Sequence, residues 1–158
     1  MMRGKQINFI VFIFCFILIG VALYMQYALE LHPCYLCITQ RFFVITTGVL
    51  ALLALAHNKG HKIYGSLIMT SAIGGGYFSA KQLWLQNLPI DEIPACGPSA
   101  EYLFNAFNFS EALSMLLQGD GNCAEVQWTF IYISIPGWTL ISFMLLATLG
   151  FSQLVRKY

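Results

Sequence analysis

Four apolar stretches, each long enough to cross a bilayer as a helix, confine this chain to a helical membrane fold. A hydrocarbon core about 30 Å thick is spanned by roughly 20 helical residues. The stretches run from Ile7 to about Leu29, from about Tyr35 to Ala56, from Ile63 to about Leu85 and from about Thr129 to Phe151. The second carries one charge, Arg41, near its start; the third passes Gly74, Gly75 and Gly76; the fourth contains Pro136, which membrane helices tolerate because neighbours satisfy the freed carbonyl. With 58% hydrophobic and 9% charged residues, the 158-residue chain cannot cover a water-soluble surface. It has no repeats or linkers and no basic cluster of the kind that tracks phosphates, which argues against nucleic acid as a partner. A single integral membrane domain over residues 1–158, in contact with lipid, is expected.

Arg3 and Lys5 precede the first stretch as they would in a secretory signal. The apolar run is longer than the roughly 7–15 residues of a signal's core, and no small-x-small cleavage site follows, so a retained helix is predicted. Orientation follows from charge. With four crossings both termini share one side, which also holds the loop from His57 to Lys62. Arg3, Lys5, Lys59, Lys62, Arg156 and Lys157 lie on that side, six of the eight basic residues. The seven acidic residues, Glu30, Asp91, Glu92, Glu101, Glu111, Asp120 and Glu125, all lie on the other. By the positive-inside rule the termini are cytoplasmic, and Trp84 and Trp128 fall in the outer interfacial belt.

The long outer loop, about Gln86 to Trp128, opens with Pro89, Pro94 and Pro98, which disfavour helix in the residues before them. A short helix is predicted after it, capped by Asn108 with Glu111 three residues on and ended by Gly119. Ala112, Leu113, Met115, Leu116 and Leu117 are too apolar for a solvated loop, so this helix should lie on the outer membrane surface or against the mouth of the bundle.

The five cysteines divide by place. Cys15 falls mid-membrane, where a thiol behaves as a small apolar side chain. The other four lie at or beyond the outer helix ends, in a compartment where disulfides persist. Cys34-Tyr35-Leu36-Cys37 is a CxxC at the start of the second helix, whose free amides and positive dipole end favour the nucleophilic thiolate. Arg41 follows Cys37 by four residues, one turn deeper on the same face. A guanidinium there is costly, and beyond snorkelling it suits the stabilisation of a thiolate or of a reduced carrier. Cys96 and Cys123 form the second candidate pair. As a plain staple they would contribute about 3–4 kcal/mol; as a mobile pair, with Cys96 in an exposed segment between Pro and Gly, they can exchange with the rigid CxxC and form a relay.

In these residues the chain resembles the DsbB family of quinone-dependent disulfide-generating membrane proteins. The matching pieces are Pro33-Cys34-Tyr35-Leu36-Cys37-Ile38-Thr39-Gln40-Arg41, Pro94-Ala95-Cys96-Gly97-Pro98, Gly121-Asn122-Cys123-Ala124-Glu125-Val126-Gln127-Trp128 and Ile135-Pro136-Gly137-Trp138, in the family's order. The resemblance covers essentially the whole chain. It implies an all-α membrane protein, a four-helix transmembrane bundle with a long outer loop carrying a short surface helix, in the bacterial inner membrane with the redox loops periplasmic. It implies that Cys96 and Cys123 form the disulfide that reoxidises a DsbA-like thioredoxin-fold partner, with Cys96 taking the mixed disulfide. Cys34 and Cys37 would regenerate that pair and pass two electrons to a quinone, ubiquinone or menaquinone, with Cys37 nearest the quinone and Arg41 holding its ring. A DsbA-type disulfide sits near about −120 mV, out of reach of glutathione but not of a lipid-soluble oxidant.

Some family members carry a His just after the third helix, near the quinone. Here that stretch reads Gln82-Leu83-Trp84-Leu85-Gln86-Asn87, while His32, His57 and His61 lie elsewhere; Gln86 or Asn87 is the expected donor to a quinone carbonyl. Two other classes compete. A structural zinc site would use the cysteines without redox turnover, but Cys96 and Cys123 lack the close spacing of zinc ligands. A small channel or transporter would need a polar stripe or paired intramembrane charges.

Overall fold

The computed structural model describes residues 4–98, 102 and 109–155. Four long helices make the fold: α1 (Gly4–Ala28), α2 (Tyr35–His57), α3 (His61–Gln86) and, after the loop, α5 (Ile135–Val155). The loop itself carries α4 (Phe109–Gln118), 3-10 turns at Ile90–Glu92 and Gly121–Cys123, and a two-stranded antiparallel hairpin, β1 (Thr129–Phe130) and β2 (Ile133–Ser134). This is an all-α membrane protein with one very small hairpin. The predicted cap Asn108, and Arg3, Glu101, Arg156 and Lys157 of the charge pattern, lie outside the described residues.

Among the described residues α1, α2 and α5 are long and apolar enough to cross a membrane. Helix α3 is as long, at 26 residues, but Gly74–Gly76, Ser71, Ser79, Lys81, Gln82 and Gln86 dilute its apolar character. It packs along both α2 and α5 as the remaining member of the bundle. Three residues, Asn58 to Gly60, join α2 to α3. Asn58 (φ 48°) and Gly60 (φ 68°) both take the left-handed conformation that such a reversal needs, and Asn and Gly are the residues that adopt it readily.

Burial runs opposite to that of a soluble bundle. Ile7, Val11, Val44, Ile68, Phe143 and Leu146 interlock at the centre, while Phe9, Phe16, Tyr24, Phe42 and Ile63 face outward. An exposed apolar periphery is at rest only in a solvent as apolar as itself. Since lipid gives helices no hydrophobic reason to associate, close packing and polar contacts hold them together. The Cβ of a residue at Gly150 would lie 2.9 Å from the Gly65 carbonyl oxygen, so these glycines let α3 and α5 meet backbone to backbone. Gln153 donates to Asn8 at 2.7 Å and Thr47 to Ser71 at 3.0 Å, tying α5 to α1 and α2 to α3.

Cys15 is 3% exposed in this core, its Cβ 3.1 Å from where a Cβ on Gly48 would lie. Cys15→Ala should leave turnover unchanged in a steady-state assay; an inactive variant would assign it a role in the chemistry.

The fourth long helix starts at Ile135, whereas the sequence predicted helix from about Thr129. Thr129 pairs with Ser134 and Phe130 with Ile133, and the two residues between them, Ile131 (φ 52°) and Tyr132 (φ 62°), both have positive φ. Such a two-residue reversal normally signals itself by Asn or Gly, and neither is present. Pro136 therefore lies in the first turn of α5, where its missing N–H costs nothing, and not in the helix interior. Gly119 (φ 76°) ends α4, its N–H donating to the Met115 carbonyl at 3.0 Å.

Candidate functional site

The site forms where the start of α2 meets α3 and the returning loop. Cys34 is the N-cap of α2 and Cys37 lies in its first turn, so the free amides of a helix N-terminus face the pair. The Cys34 thiol donates to Cys37 Sγ at 3.0 Å, a thiol–thiol hydrogen bond rather than a covalent bond of about 2.0 Å. Cys123, which is completely buried, packs in the same cluster as Cys34. Cys34 thus sits among two other thiols, Cys37 and Cys123. Hydrogen bonding to Cys123 and Cys37, with burial, pushes the Cys34 thiol far up from its ordinary range. The Cys123 thiol moves down, chiefly because Cys34 donates to it. A proton held on Cys34 leaves Cys123 as the better thiolate.

The loop is fastened over this junction by side chains that the sequence reading passed over. Asp120, 5% exposed, accepts from the Gly97 N–H at 2.9 Å, from Asn122 Nδ2 at 2.6 Å and from the Cys123 thiol at 3.4 Å. One carboxylate therefore clamps the Cys96 segment to the Cys123 segment. The Gly121 N–H donates to the Ala95 carbonyl at 3.4 Å, and a Cβ on Gly121 would lie 3.0 Å from Cys96 Sγ. Tyr35 of α2 donates its hydroxyl hydrogen to the Pro98 carbonyl. Cys96 is exposed, the one cysteine of the four open to a large partner.

Helix α4 sits on the bundle mouth. Ala112, Met115 and Leu116 pack with Tyr35, Leu36 and Leu85, while Phe109, Leu113 and Leu117 stay exposed. Thr39 donates to the Leu116 carbonyl at 3.1 Å, and Lys81 to that of Leu117 at 2.9 Å, a cation at a helix C-terminus.

Arg41 points across to α1, donating to Gln26 Oε1 and, at 3.2 Å, to the Ala22 carbonyl. It lines a cavity of about 360 Å³ between α1, α2, α5 and the hairpin, together with Cys37, Gln40, His32 and Thr139. The rest of its wall is mostly apolar, including Leu18, Met25, Val44 and Phe143. Trp128 stacks on Phe130 at 5.9 Å, and these two with Trp138 complete the wall on the hairpin side. Gln86 and Asn87, expected as donors here, do not line this cavity: Gln86 accepts from Ser134 at 2.8 Å, and Asn87 donates to the Leu83 carbonyl at 2.7 Å. The donor near the sulfurs is Gln82 instead, its Nε2 3.3 Å from Cys34 Sγ and 3.4 Å from Cys37 Sγ. Its only sequence signal is an amide in an apolar stretch, which is costly enough to ask for a reason. Among the described residues no three His, Cys, Asp or Glu side chains converge as metal ligands would.

With the thiol cluster and the bundle in place, the comparison with known proteins is decisive. The family described as "Disulfide bond formation protein DsbB" matches residues 4–153. The chain belongs to the DsbB family. It is 49% identical over 156 residues to disulfide bond formation protein B of Saccharophagus degradans, covering 97% of this chain and 94% of that one. It is 46% identical to the protein of the same name from Hahella chejuensis, covering 90% and 88%, and 39% identical to disulfide bond formation protein B 1 of Pseudomonas aeruginosa, covering 97% and 96%. A DsbB-family chain is thus a membrane protein of disulfide bond formation, and its cysteines are the groups that can carry that chemistry.

Proposed function

We propose that the chain is a quinone-dependent thiol:disulfide oxidoreductase of a bacterial inner membrane, which reoxidises a DsbA-like periplasmic thioredoxin-fold partner. The observation that carries this reading is the position of Cys34, hydrogen-bonded to Cys37 and packed in one buried cluster with Cys123. The junction of a two-disulfide relay has to sit there. Orientation is supported by charge: Lys5, Lys59 and Lys62 lie at the end of the bundle away from the cysteines, and Glu30, Asp91, Glu92, Glu111, Asp120 and Glu125 at or beyond the cysteine end.

The relay closes without an outside thiol reagent. A partner thiolate attacks Cys96 of the Cys96–Cys123 disulfide; the new bond joins partner to Cys96, and the electron pair leaves on Cys123. The partner's second thiol then displaces Cys96, releasing the oxidised partner. The Cys123 thiolate attacks Cys34, the Cys34–Cys37 bond breaks, and the pair leaves on Cys37. Cys96 closes back onto Cys123 and displaces Cys34, so two electrons now rest on the Cys34/Cys37 dithiol.

The cavity suits a quinone ring: it is largely apolar, it has Cys37 in its wall, and Arg41 and His32 supply donors for carbonyl oxygens. A quinone bound there would accept two electrons and two protons. Arg41, pinned by Gln26 and Ala22, would orient the ring against Cys37, and the aromatic wall would exclude water. Anaerobic mixing with a quinone and a reduced thioredoxin-fold oxidase should yield one quinol per partner disulfide, dependent on Cys34, Cys37, Cys96 and Cys123. Quinol formation that survives loss of the loop cysteines would refute the relay. Arg41→Ala should raise the KM for quinone by about tenfold or more, the scale of one charge-assisted hydrogen bond. It should leave single-turnover oxidation of the partner intact, and equal loss of both steps would remove Arg41 from the quinone.

A further inference from the structure

The two loop cysteines stand on segments of unequal firmness. Cys123 is completely buried and packs with Cys34, Tyr35, Leu36 and Leu85. Gly119, four residues before it, lies so close to α2 and α3 that a Cβ there would come 2.9 Å from Leu36 and 3.4 Å from Leu85. Cys96, in contrast, is exposed and lies in a stretch without regular secondary structure. Three hydrogen bonds fasten that stretch: the Gly97 N–H to Asp120 Oδ2 at 2.9 Å, the Gly121 N–H to the Ala95 carbonyl at 3.4 Å, and the Tyr35 hydroxyl to the Pro98 carbonyl. None of them uses a sulfur, so the contact does not depend on a bond between Cys96 and Cys123. Asp120 is 5% exposed, and a carboxylate so buried must find donors. Besides Gly97 it has Asn122 Nδ2 on Oδ2 at 2.6 Å and the Cys123 thiol on Oδ1 at 3.4 Å. One side chain thus holds the residue after Cys96 and Cys123 itself.

We propose that Asp120 is a positioning residue that keeps Cys96 within reach of Cys123 during the part of the cycle when the two sulfurs are not bonded to each other. This rests on the relay reading above and concerns its last sulfur exchange. There Cys96, released by the partner, attacks Cys123 of the Cys34–Cys123 disulfide. The Cys96–Cys123 bond forms, the Cys34–Cys123 bond breaks, and the electron pair leaves on Cys34. The rate of such an exchange within one molecule follows the local concentration of one sulfur at the other. With Gly97 fastened to Asp120, Cys96 returns to the same place after each partner leaves. The firm segment supplies the carboxylate and the exposed segment only a backbone N–H, so the latch leaves the Cys96 side chain open to the partner.

The test uses the full chain carrying Cys34→Ser and Cys37→Ser, without quinone or partner, so it is read independently of the relay. The reduced protein is mixed with dithiobis(nitrobenzoate). The exposed Cys96 reacts first, at a rate proportional to the reagent, and one thionitrobenzoate is released. The Cys123 thiolate then attacks Cys96: the Cys96–Cys123 bond forms, the bond to the aryl sulfur breaks, and a second thionitrobenzoate leaves with the electron pair. Asp120→Ala is expected to slow this second phase about tenfold, the scale of one lost hydrogen bond to a charged group, and to leave the first unchanged. Asp120→Asn, whose amide oxygen can still accept from Gly97 and Asn122, is expected to close within about threefold of the parent. Both differences should persist at high pH, where Cys123 is thiolate in every variant. An unslowed second phase in Asp120→Ala overturns the proposal. So does an equal loss in the Ala and Asn variants, which assigns the effect to the charge, or a loss that vanishes at high pH, which assigns it to thiol acidity. Amide exchange carries the test if Asp120→Ala does not fold. The Gly97 N–H should be protected in the dithiol and the disulfide forms alike, and protection lost on reduction overturns the latch. Normal closure in a protein that fails to reduce quinone would sink the relay and leave Asp120 its role.

Discussion

Cys34→Ser is expected to stop the protein after a single round. The loop disulfide Cys96–Cys123 would still oxidise one equivalent of reduced partner, since that step uses only the exposed Cys96 and its leaving group Cys123. The Cys123 thiolate would then find no sulfur to attack, because the Cys34 thiol is the contact between the loop and Cys37. Steady-state turnover should fall by about a thousandfold or more, as when a covalent nucleophile is removed. The measurement is the stoichiometry of partner oxidation under excess quinone: one disulfide per protein and no second. Many disulfides per protein would mean that Cys37 or the quinone reaches the loop directly, and the junction assigned to Cys34 would be wrong. Serine is close to cysteine in size and is a favoured N-cap residue, so a folding defect is not the expected cause.

Gly75→Val should have the largest effect on stability. A Cβ at position 75 would lie 2.2 Å from the Phe143 ring, inside any permissible contact, in the middle of the α3–α5 interface. Phe143 is 1% exposed and interlocks with the residues at the centre of the bundle. Overpacking of this kind costs about 3 kcal/mol, a large share of the stability of a small domain. Unfolding in mixed detergent, followed by helical circular dichroism, should shift accordingly. Phe143→Leu in the same chain should recover part of the loss, because the two changes share one contact and are not additive. An unchanged unfolding midpoint in Gly75→Val would show that α3 and α5 do not pack as described.

The two predictions draw on different levels of information. Cys34 could be named from the sequence, because a CxxC before a helix is a local pattern whose chemistry depends on the helix end just after it. Its surroundings could not, because Cys123 lies 89 positions along the chain and neither Asp120 nor Gln82 has a local signature. Gly75 is one of three consecutive glycines, and nothing in the run Gly74-Gly75-Gly76 says that Gly74 faces the Phe43 ring and Gly75 the Phe143 ring.

The polar residues follow the same division. Arg41 stands out in the sequence as a lone charge in an apolar stretch, yet its partners Gln26 and Ala22 on α1 emerge only when the helices are packed. Gln86 and Asn87 are singled out by the sequence because they occupy the stretch just after the third helix. A helix advances 100° per residue, so Gln82 and Gln86 share a face and line one small pocket with Cys34 and Cys37, while Asn87, five positions after Gln82, turns back on its own helix.

Bilayer physics made the fold class readable without coordinates: backbone groups in hydrocarbon must be satisfied within a helix, so length and apolarity settle that four stretches are helices. The same physics hides the rest. Lipid is as apolar as the core, so hydrophobic pattern does not reveal which face of each helix turns inward. The hairpin at Thr129–Ser134 formed without Asn or Gly at its tip, against local preference, and with it came an aromatic wall for the cavity. Contacts between residues far apart in the chain have no local code, and the Cys34–Cys123 junction, the Asp120 clamp and the Gln82 donor are all contacts of that kind.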